Sequence, residues 1–420
     1  MKIVISTDLY TPMINGVATF AHNLADGLAD RGHEVMVLAP STDGKLSYET
    51  EGAVTVVRLP STKLPVYPDQ IHEVPEARAI FGMKMPRVIY RNGLNVSWWP
   101  YPEIKAALDK FQPDVIHNQT PGGVGLAVVR YAKRRDVPVV QTGHAYPDNI
   151  TRQVWLPKTA KRGVDEMVRR YFANFLEKSE YATMPTKMAV RDIALAGGKK
   201  RQFDVPIVAI SNGIDLSEFA PGKAPLSVYK KWKIPQNREI VGNVGRVDRE
   251  KSLDVLIRAF AKMAPLRPKA HLVIVGDGKD AGRLVELVRK LKLGKRVTFT
   301  GAIPREELPE IYRTFDVFAT CSQTETQGIV LMEAMASGVP VVAVRAGAVG
   351  DIVKNNKTGF LKRGGDVRGV SNSILAILKH PAKRKVLVAG AHEILKEHDL
   401  DTTLEEFEKI YRKVARRVVD

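Results

Sequence analysis

Cys321 is the chain's single cysteine, so no intrachain disulfide can form and no metal site can be built on paired thiolates. That usage fits a reducing cytoplasm. Long apolar runs are missing as well. No stretch reaches the roughly eighteen consecutive apolar residues of a membrane-spanning helix, and the opening MKIVISTDLY meets Asp8 at once and lacks the cleavage pattern of a secretory leader. The G-x-G-x-x-G dinucleotide fingerprint is absent after the first strand of either half. Its nearest relative, VIVGDGKDAGRL, spaces Gly276, Gly278 and Gly282 one residue too wide and has no supporting acid. A nicotinamide-dependent oxidoreductase is therefore disfavoured. Repeats and low-complexity tracts are also lacking. The basic residues are spread over many helices instead of forming a track with stacking aromatics, which argues against a nucleic-acid partner.

What is present is an excess of positive charge: 64 Lys and Arg against 46 Asp and Glu, a formal net charge of +18. Such a surface suits an anionic partner, a lipid headgroup layer or a phosphorylated substrate. At 420 residues the chain is too long for one comfortable core, so two domains are expected.

Short apolar runs alternate with amphipathic helical stretches. KIVIS (2–6), EVMVLAP (34–40), VTVVRLP (54–60), PDVIHNQ (113–119) and PVVQTGH (138–144) are continuous and β-branched, as buried parallel strands are. A helix over 16–32 follows the first. From about residue 206 the pattern restarts with IVAISNG, EIVGNVGRV, HLVIVGDG, RVTFTG, FDVFATC and VPVVAV. The reading is α/β, with two doubly wound Rossmann-like lobes over 1–204 and 205–401 and a final helix, 402–420, able to pack back onto the first lobe.

Ligands of open parallel sheets bind beyond the carboxyl ends of strands, so the segments after strands matter most. TDLYTPMINGVATF (7–20) ends in Gly16 at a helix start, where the first-turn amides suit a phosphate. A plain helix-start role for Gly16 stands equally. VGNVGRVDREKS (241–252) puts Arg246 and Lys251 at the positive end of a helix. Cations there make sense around a bound anion, although Asp248 and Glu250 offer alternative partners. In VIVGDG a tight strand–helix turn accounts for the glycines, with Gly276 still able to line a nucleotide pocket. In CSQTETQGIVLMEAMASG, Glu325 falls in a loop and Gly328, Ile329 and Val330 offer first-turn amides. Glu333 lies deeper on an otherwise apolar helix. There it needs hydroxyl donors from a ligand, unless it is exposed or paired with a lysine. His144 closes the fifth strand of the first half, where structural and functional readings are both open.

Taken together, these segments resemble the retaining glycosyltransferases of GT-B fold, the large family of glycogen, sucrose, mannosyl and glycolipid synthases. The Gly16 loop, His144, SNGID at 211–215, GRVDREKS, VGDG, the Glu325 and Glu333 pair with seven residues between them, and EAMASGVPVVA carry the likeness along nearly the whole chain. It implies two lobes facing across a cleft, with a nucleotide sugar on the second lobe and the acceptor on the first. Arg246 and Lys251 would hold the diphosphate, helped by Gly16 and the amides of Gly328, Ile329 and Val330. Glu325 would contact the donor sugar, Glu333 the ribose, and His144 the region of the anomeric carbon; His144, Arg246, Lys251 and Glu325 form the catalytic set. No divalent metal and no cofactor is implied. Relatives commonly show Glu-x-Phe-Gly, whereas this chain has Glu325-Thr326-Gln327-Gly328, similar to bacterial diacylglycerol glucosyltransferases. Asp351 stands where a glutamate is commoner.

Two segments mix aromatic and basic residues in the way an anionic membrane interface favours. AIFGMKMPRVIYRNGLNVSWWPYP (79–102) contains Phe81, Lys84, Arg87, Trp98 and Trp99; ITRQVWLPKTAKRG (150–163) contains Trp155. The next stretch, Val164 to Leu176, has a helical apolar stripe expected to face the core. The expectation is a peripheral enzyme of the inner membrane face that moves glucose from UDP-glucose to a lipid such as diacylglycerol. The alternative is a GDP-mannose-dependent α-mannosyltransferase. Oligomeric state leaves no mark on the sequence.

Overall fold

The computed structural model describes residues 1–13, 15–63, 95–144, 158–195, 201–325 and 327–416. Phe81, Lys84, Arg87 and Trp155 lie outside them. The chain divides into two compact units: described residues up to Gly213 with those from Leu400 onward, and Ile214–Asp399.

The first unit contains β1 (Lys2–Ser6), β2 (Glu34–Pro40), β3 (Ser47–Glu51), β4 (Val54–Leu59), the short pair β5 (Thr62–Lys63) and β6 (Asn95–Val96), then β7 (Val115–Asn118), β8 (Val139–Thr142), β9 (Tyr181–Met184) and β10 (Ile207–Ala209). Eight of these make one sheet in the order β10-β9-β8-β7-β1-β2-β4-β3, parallel except for β3 against β4. Strand residues alternate between two cores, as a period of two requires. Ile3 and Ile5 join Phe20, Leu24 and Leu28 of the helix Gly16–Asp30. Val4 joins Ile104 and Leu108 of Tyr101–Phe111 and Val124 and Val128 of Gly123–Arg135. Both faces are covered, which is why the strands read as unbroken apolar runs.

The second unit contains β11 (Glu239–Val244), β12 (Ala270–Val275), β13 (Val297–Gly301), β14 (Val317–Thr320), β15 (Val341–Val344) and β16 (Gly359–Lys362). They form a six-stranded sheet, β13-β12-β11-β14-β15-β16. One face packs Val241, Leu272 and Ile274 against the helices Leu253–Met263 and Val367–Lys379. The other packs Ile240, Val273 and Phe318 against Ile329–Ala336.

The structure corrects one assignment. IVAISNG, which the sequence reading places at the start of the second lobe, supplies β10, and β10 pairs with β9 of the first sheet. The strand–helix alternation runs on without a break here, so periodicity alone cannot show which sheet takes the strand. The final helix, Leu400–Arg416, places Leu404, Phe407, Ile410 and Tyr411 in the first unit's core. The stripe of the helix Lys158–Leu176 divides. Phe172, Phe175 and Leu176 are buried, whereas Met167 and Tyr171 are exposed. Among the described residues no helix is long and apolar enough to cross a membrane.

Candidate functional site

Each sheet has one place where successive connections leave in opposite directions, and a crevice opens there beyond the carboxyl ends. In the second unit it lies between β11 and β14, since β11 leads to β12 on one side and β14 to β15 on the other. Arg246 and Lys251 follow β11; Glu325 and the helix Ile329–Ala336 follow β14. The Lys251 ammonium donates to Glu325 Oε1 at 2.7 Å, and both side chains are largely buried. Burial works to raise the Glu325 carboxyl, but the charge and hydrogen bond of Lys251, the Ser322 hydroxyl and Arg246 together outweigh it, holding Glu325 below the usual carboxylate range. Arg246, half exposed, is paired with Asp248 at 2.6 Å and with Glu250. The structure therefore realises the acidic pairing that the sequence left open, and it does so around the same crevice.

Gly328 begins the helix with φ of 83°, a left-handed conformation suited to glycine. As N-cap, Gly328 has no side chain to cap this helix, and its carbonyl accepts from the Leu331 and Met332 amides. Gly276 has a backbone reason of its own: a Cβ there would stand 1.9 Å from the Gly245 carbonyl oxygen. Glu333 is buried, 2% exposed. Its partners are neither solvent nor lysine: Arg305 Nη1 donates to Oε1 at 3.2 Å and the Tyr312 hydroxyl to Oε2 at 2.7 Å. Sequence reading missed both donors. Arg305 follows β13 directly, and that position was the available signal.

In the first unit the corresponding crevice lies between β1 and β7. There Asp8, after β1, accepts from Thr120 Oγ1 at 2.6 Å and from the Val124 amide at 3.1 Å. It thus caps the helix Gly123–Arg135, whose own N-cap, Gly122, has no side chain to do so. Burial raises the Asp8 carboxyl, although the Thr120 and amide hydrogen bonds oppose this. Gly16 is exposed, and the amides behind it, Val17 and Ala18, are already taken by the Asn15 side chain at 3.0 and 2.9 Å. The free first turn expected at Gly16 is thus reduced by a side-chain cap. His144 is buried, with Nε2 2.6 Å from Gln119 Oε1 and its ring 5.0 Å from that of Phe20. Burial pushes its pKa down to about 3, so it is a neutral imidazole at pH 7.

Trp98 and Trp99 are 65% and 52% exposed. Trp98 Nε1 donates to Thr62 at 2.6 Å. Trp99 stacks on Tyr101, and the Arg130 guanidinium lies 5.6 and 5.4 Å from their two ring centroids. A basic, aromatic patch therefore exists on the first unit.

Comparison with known proteins bears on both units. The family described as Glycosyltransferase Family 4 matches residues 14–218, and that described as Glycosyl transferases group 1 matches residues 228–393. A sulfoquinovosyl transferase of Arabidopsis thaliana is 30% identical over 340 residues, covering 78% of this chain and 63% of that protein's length. A GDP-mannose-dependent alpha-mannosyltransferase of Mycobacterium tuberculosis is 29% identical over 391 residues, 93% of this chain and 91% of the relative. An alpha-monoglucosyldiacylglycerol synthase of Streptococcus pneumoniae is 26% identical over 368 residues, covering 87% and 76%. Among solved structures, sucrose-phosphate synthase of Thermosynechococcus elongatus gives a TM-score of 0.74 at 22% identity over 98% of each chain. Anabaena HepE in complex with UDP-glucose gives 0.71 at 18% identity, covering 98% of this chain and 100% of that one. At those identities the likeness is one of fold.

Proposed function

The chain belongs to the GT-B glycosyltransferases of family 4, and from that premise we propose that it moves a hexose, glucose first among them, from a nucleotide sugar such as UDP-glucose to a membrane lipid such as diacylglycerol, with retention at the anomeric carbon. The observation that carries the reading is the β11/β14 crevice. Lys251 and Arg246 stand beside a helix start beyond the strand ends, each held by carboxylates that a ligand would have to displace, and a diphosphate is the ligand such a cradle suits.

In this reading Lys251 and Arg246 turn from their carboxylate partners to the diphosphate, with the amides of Gly328, Ile329 and Val330 alongside. The bond between the anomeric carbon and the phosphate oxygen breaks, and the negative charge growing on that oxygen is stabilised by the cations. The acceptor hydroxyl attacks from the face the phosphate leaves, forms the new glycosidic bond, and gives its proton to the departing phosphate oxygen. Atoms and charge balance without a protein nucleophile or a metal. Glu325 holds hydroxyls of the sugar and Glu333 those of the ribose. His144 enters as a neutral hydrogen-bonding group.

The lipid acceptor and a peripheral place on an anionic membrane rest on the Trp98–Trp99–Arg130 patch and on the relative that makes monoglucosyldiacylglycerol. A GDP-mannose donor is the second reading, favoured by the M. tuberculosis relative that the chain spans almost end to end. Thermal unfolding with UDP-glucose, GDP-mannose and ADP-glucose separates the donors, because a ligand of the native state raises the melting temperature. UDP-glucose should give the largest rise and label diacylglycerol in phosphatidylglycerol vesicles. Replacing Trp98 and Trp99 by alanine should weaken vesicle binding by about an order of magnitude. A rise with GDP-mannose alone, or transfer only to soluble acceptors, would sink the corresponding half of the proposal.

A further inference from the structure

Glu333 is the one charged residue of the helix Ile329–Ala336, and a buried carboxylate is costly unless its charge is met. It is met from two sides. Tyr312 is fully buried, its ring held edge-on or tilted against Phe219, Phe315 and Phe318 at centroid distances of 5.8, 5.9 and 5.9 Å. Arg305 lies over Phe219 at 5.8 Å and reaches Glu218 at 3.9 Å. Each donor takes a different oxygen of Glu333. A carboxylate offers about four acceptor positions, so one lone-pair direction on each oxygen is left over. Two acceptors side by side in a fixed plane match a vicinal diol. The helix supplies the ruler: from its first residue, Ile329, to Glu333 the rise is about 6 Å at ~1.5 Å per residue, on the scale of the step from a diphosphate to the ribose that bears it.

We propose that Arg305 is a positioning residue for ribose recognition. With Tyr312 it fixes the plane of the Glu333 carboxylate, so that both remaining acceptor positions are presented to the ribose 2′- and 3′-hydroxyls. This rests on the reading of Glu333 as the ribose contact. Arg305 does not touch the nucleotide; it acts through Glu333. Removing the guanidinium leaves a buried carboxyl held by one neutral donor and free to turn, and once turned it receives two hydroxyls poorly.

The test measures the dissociation constants of UDP and 2′-deoxy-UDP, and of GDP and 2′-deoxy-GDP, for the full chain and for R305M, R305K, Y312F and E333Q. The wild type should favour the ribonucleotide by about tenfold or more. R305M should bring that ratio close to one, R305K should restore part of it, and Y312F should fall between. The donor KM should rise in R305M more than kcat falls. If R305M keeps the wild-type ratio while E333Q loses it, Arg305 is merely structural and the proposal is overturned. If the wild type shows no preference, or E333Q retains it, the ribose role of Glu333 itself is wrong and the proposal falls with it. Should R305M fail to fold, R305K and Y312F carry the same ratio test, and wild-type ratios in both would overturn the proposal.

Discussion

The two units repeat one plan and treat its weak point in opposite ways. Each has a parallel sheet whose connections diverge at a single crevice, and each brings a helix start to that crevice. In the first unit the protein fills the place itself: Asp8 hydrogen-bonds the amide of Val124 and the hydroxyl of Thr120. In the second the helix start has glycine as its N-cap, and the nearby charges are paired, Lys251 with Glu325 and Arg246 with Asp248 and Glu250. The difference teaches that a shared fold places an anion site without deciding who occupies it. A carboxylate from within the chain makes the crevice a structural joint. Cations beside the second crevice are what the proposed diphosphate role would use, by giving up their acidic partners.

The comparison breaks most easily at Lys251. If the proposed function holds, Lys251→Ala should lower turnover by on the order of a thousandfold or more, through lost stabilisation of the leaving diphosphate. Steady-state kinetics with saturating donor measures this, and turnover near the wild-type rate would return the second crevice to the class of structural joints.

Acid should separate the two units next. His144 has a folded pKa of about 3 against an ordinary 6.5, so between those values the unfolded chain binds a proton that the folded one does not. Stability must fall as pH drops through that window, by an amount on the order of a few kcal/mol. Glu325 is shifted below its ordinary 4.5; its contribution is present above 4.5 and is lost only as pH falls below it. Urea unfolding against pH should therefore show His144→Gln flattening the profile from 6.5 downward. Glu325→Gln should alter its slope only below about 4.5.

The smallest effect sharpens the contrast from the other side. Asp8→Ala uncaps the helix Gly123–Arg135 and should cost about 1–2 kcal/mol of stability, with the dissociation constant for the nucleoside diphosphate unchanged. A donor affinity that moved with Asp8 would mean that the two crevices are not independent.

Much of this was legible in the sequence, for identifiable reasons. KIVIS and EVMVLAP became β1 and β2 over the same residues, because a strand covered on both faces has no choice but to be apolar throughout. Lys251, Glu325 and the helix start could be read because each directly follows a strand. What escaped was pairing across distance. Arg305 finds Glu333 from 28 positions away and Asp8 finds Thr120 from 112; no local pattern marks either. β3 escaped as well, since Ser47–Glu51 is a largely exposed antiparallel edge with nothing apolar to announce it. The membership of β10 escaped because its residues, only half buried, look the same whichever sheet receives them.

The final helix carries a consequence for how the protein is made. Phe407 and Tyr411 are core residues of the first unit, and the Tyr411 hydroxyl meets His117 Nδ1 at 2.6 Å. The second unit, Ile214–Asp399, is complete in sequence before either has been synthesised. The second unit can therefore close without the helix Leu400–Arg416, whereas the first cannot fill its interior until that helix arrives. A chain truncated after Asp399 should hold a protease-resistant second unit beside an unfinished first, which the full chain with Leu400–Arg416 completes.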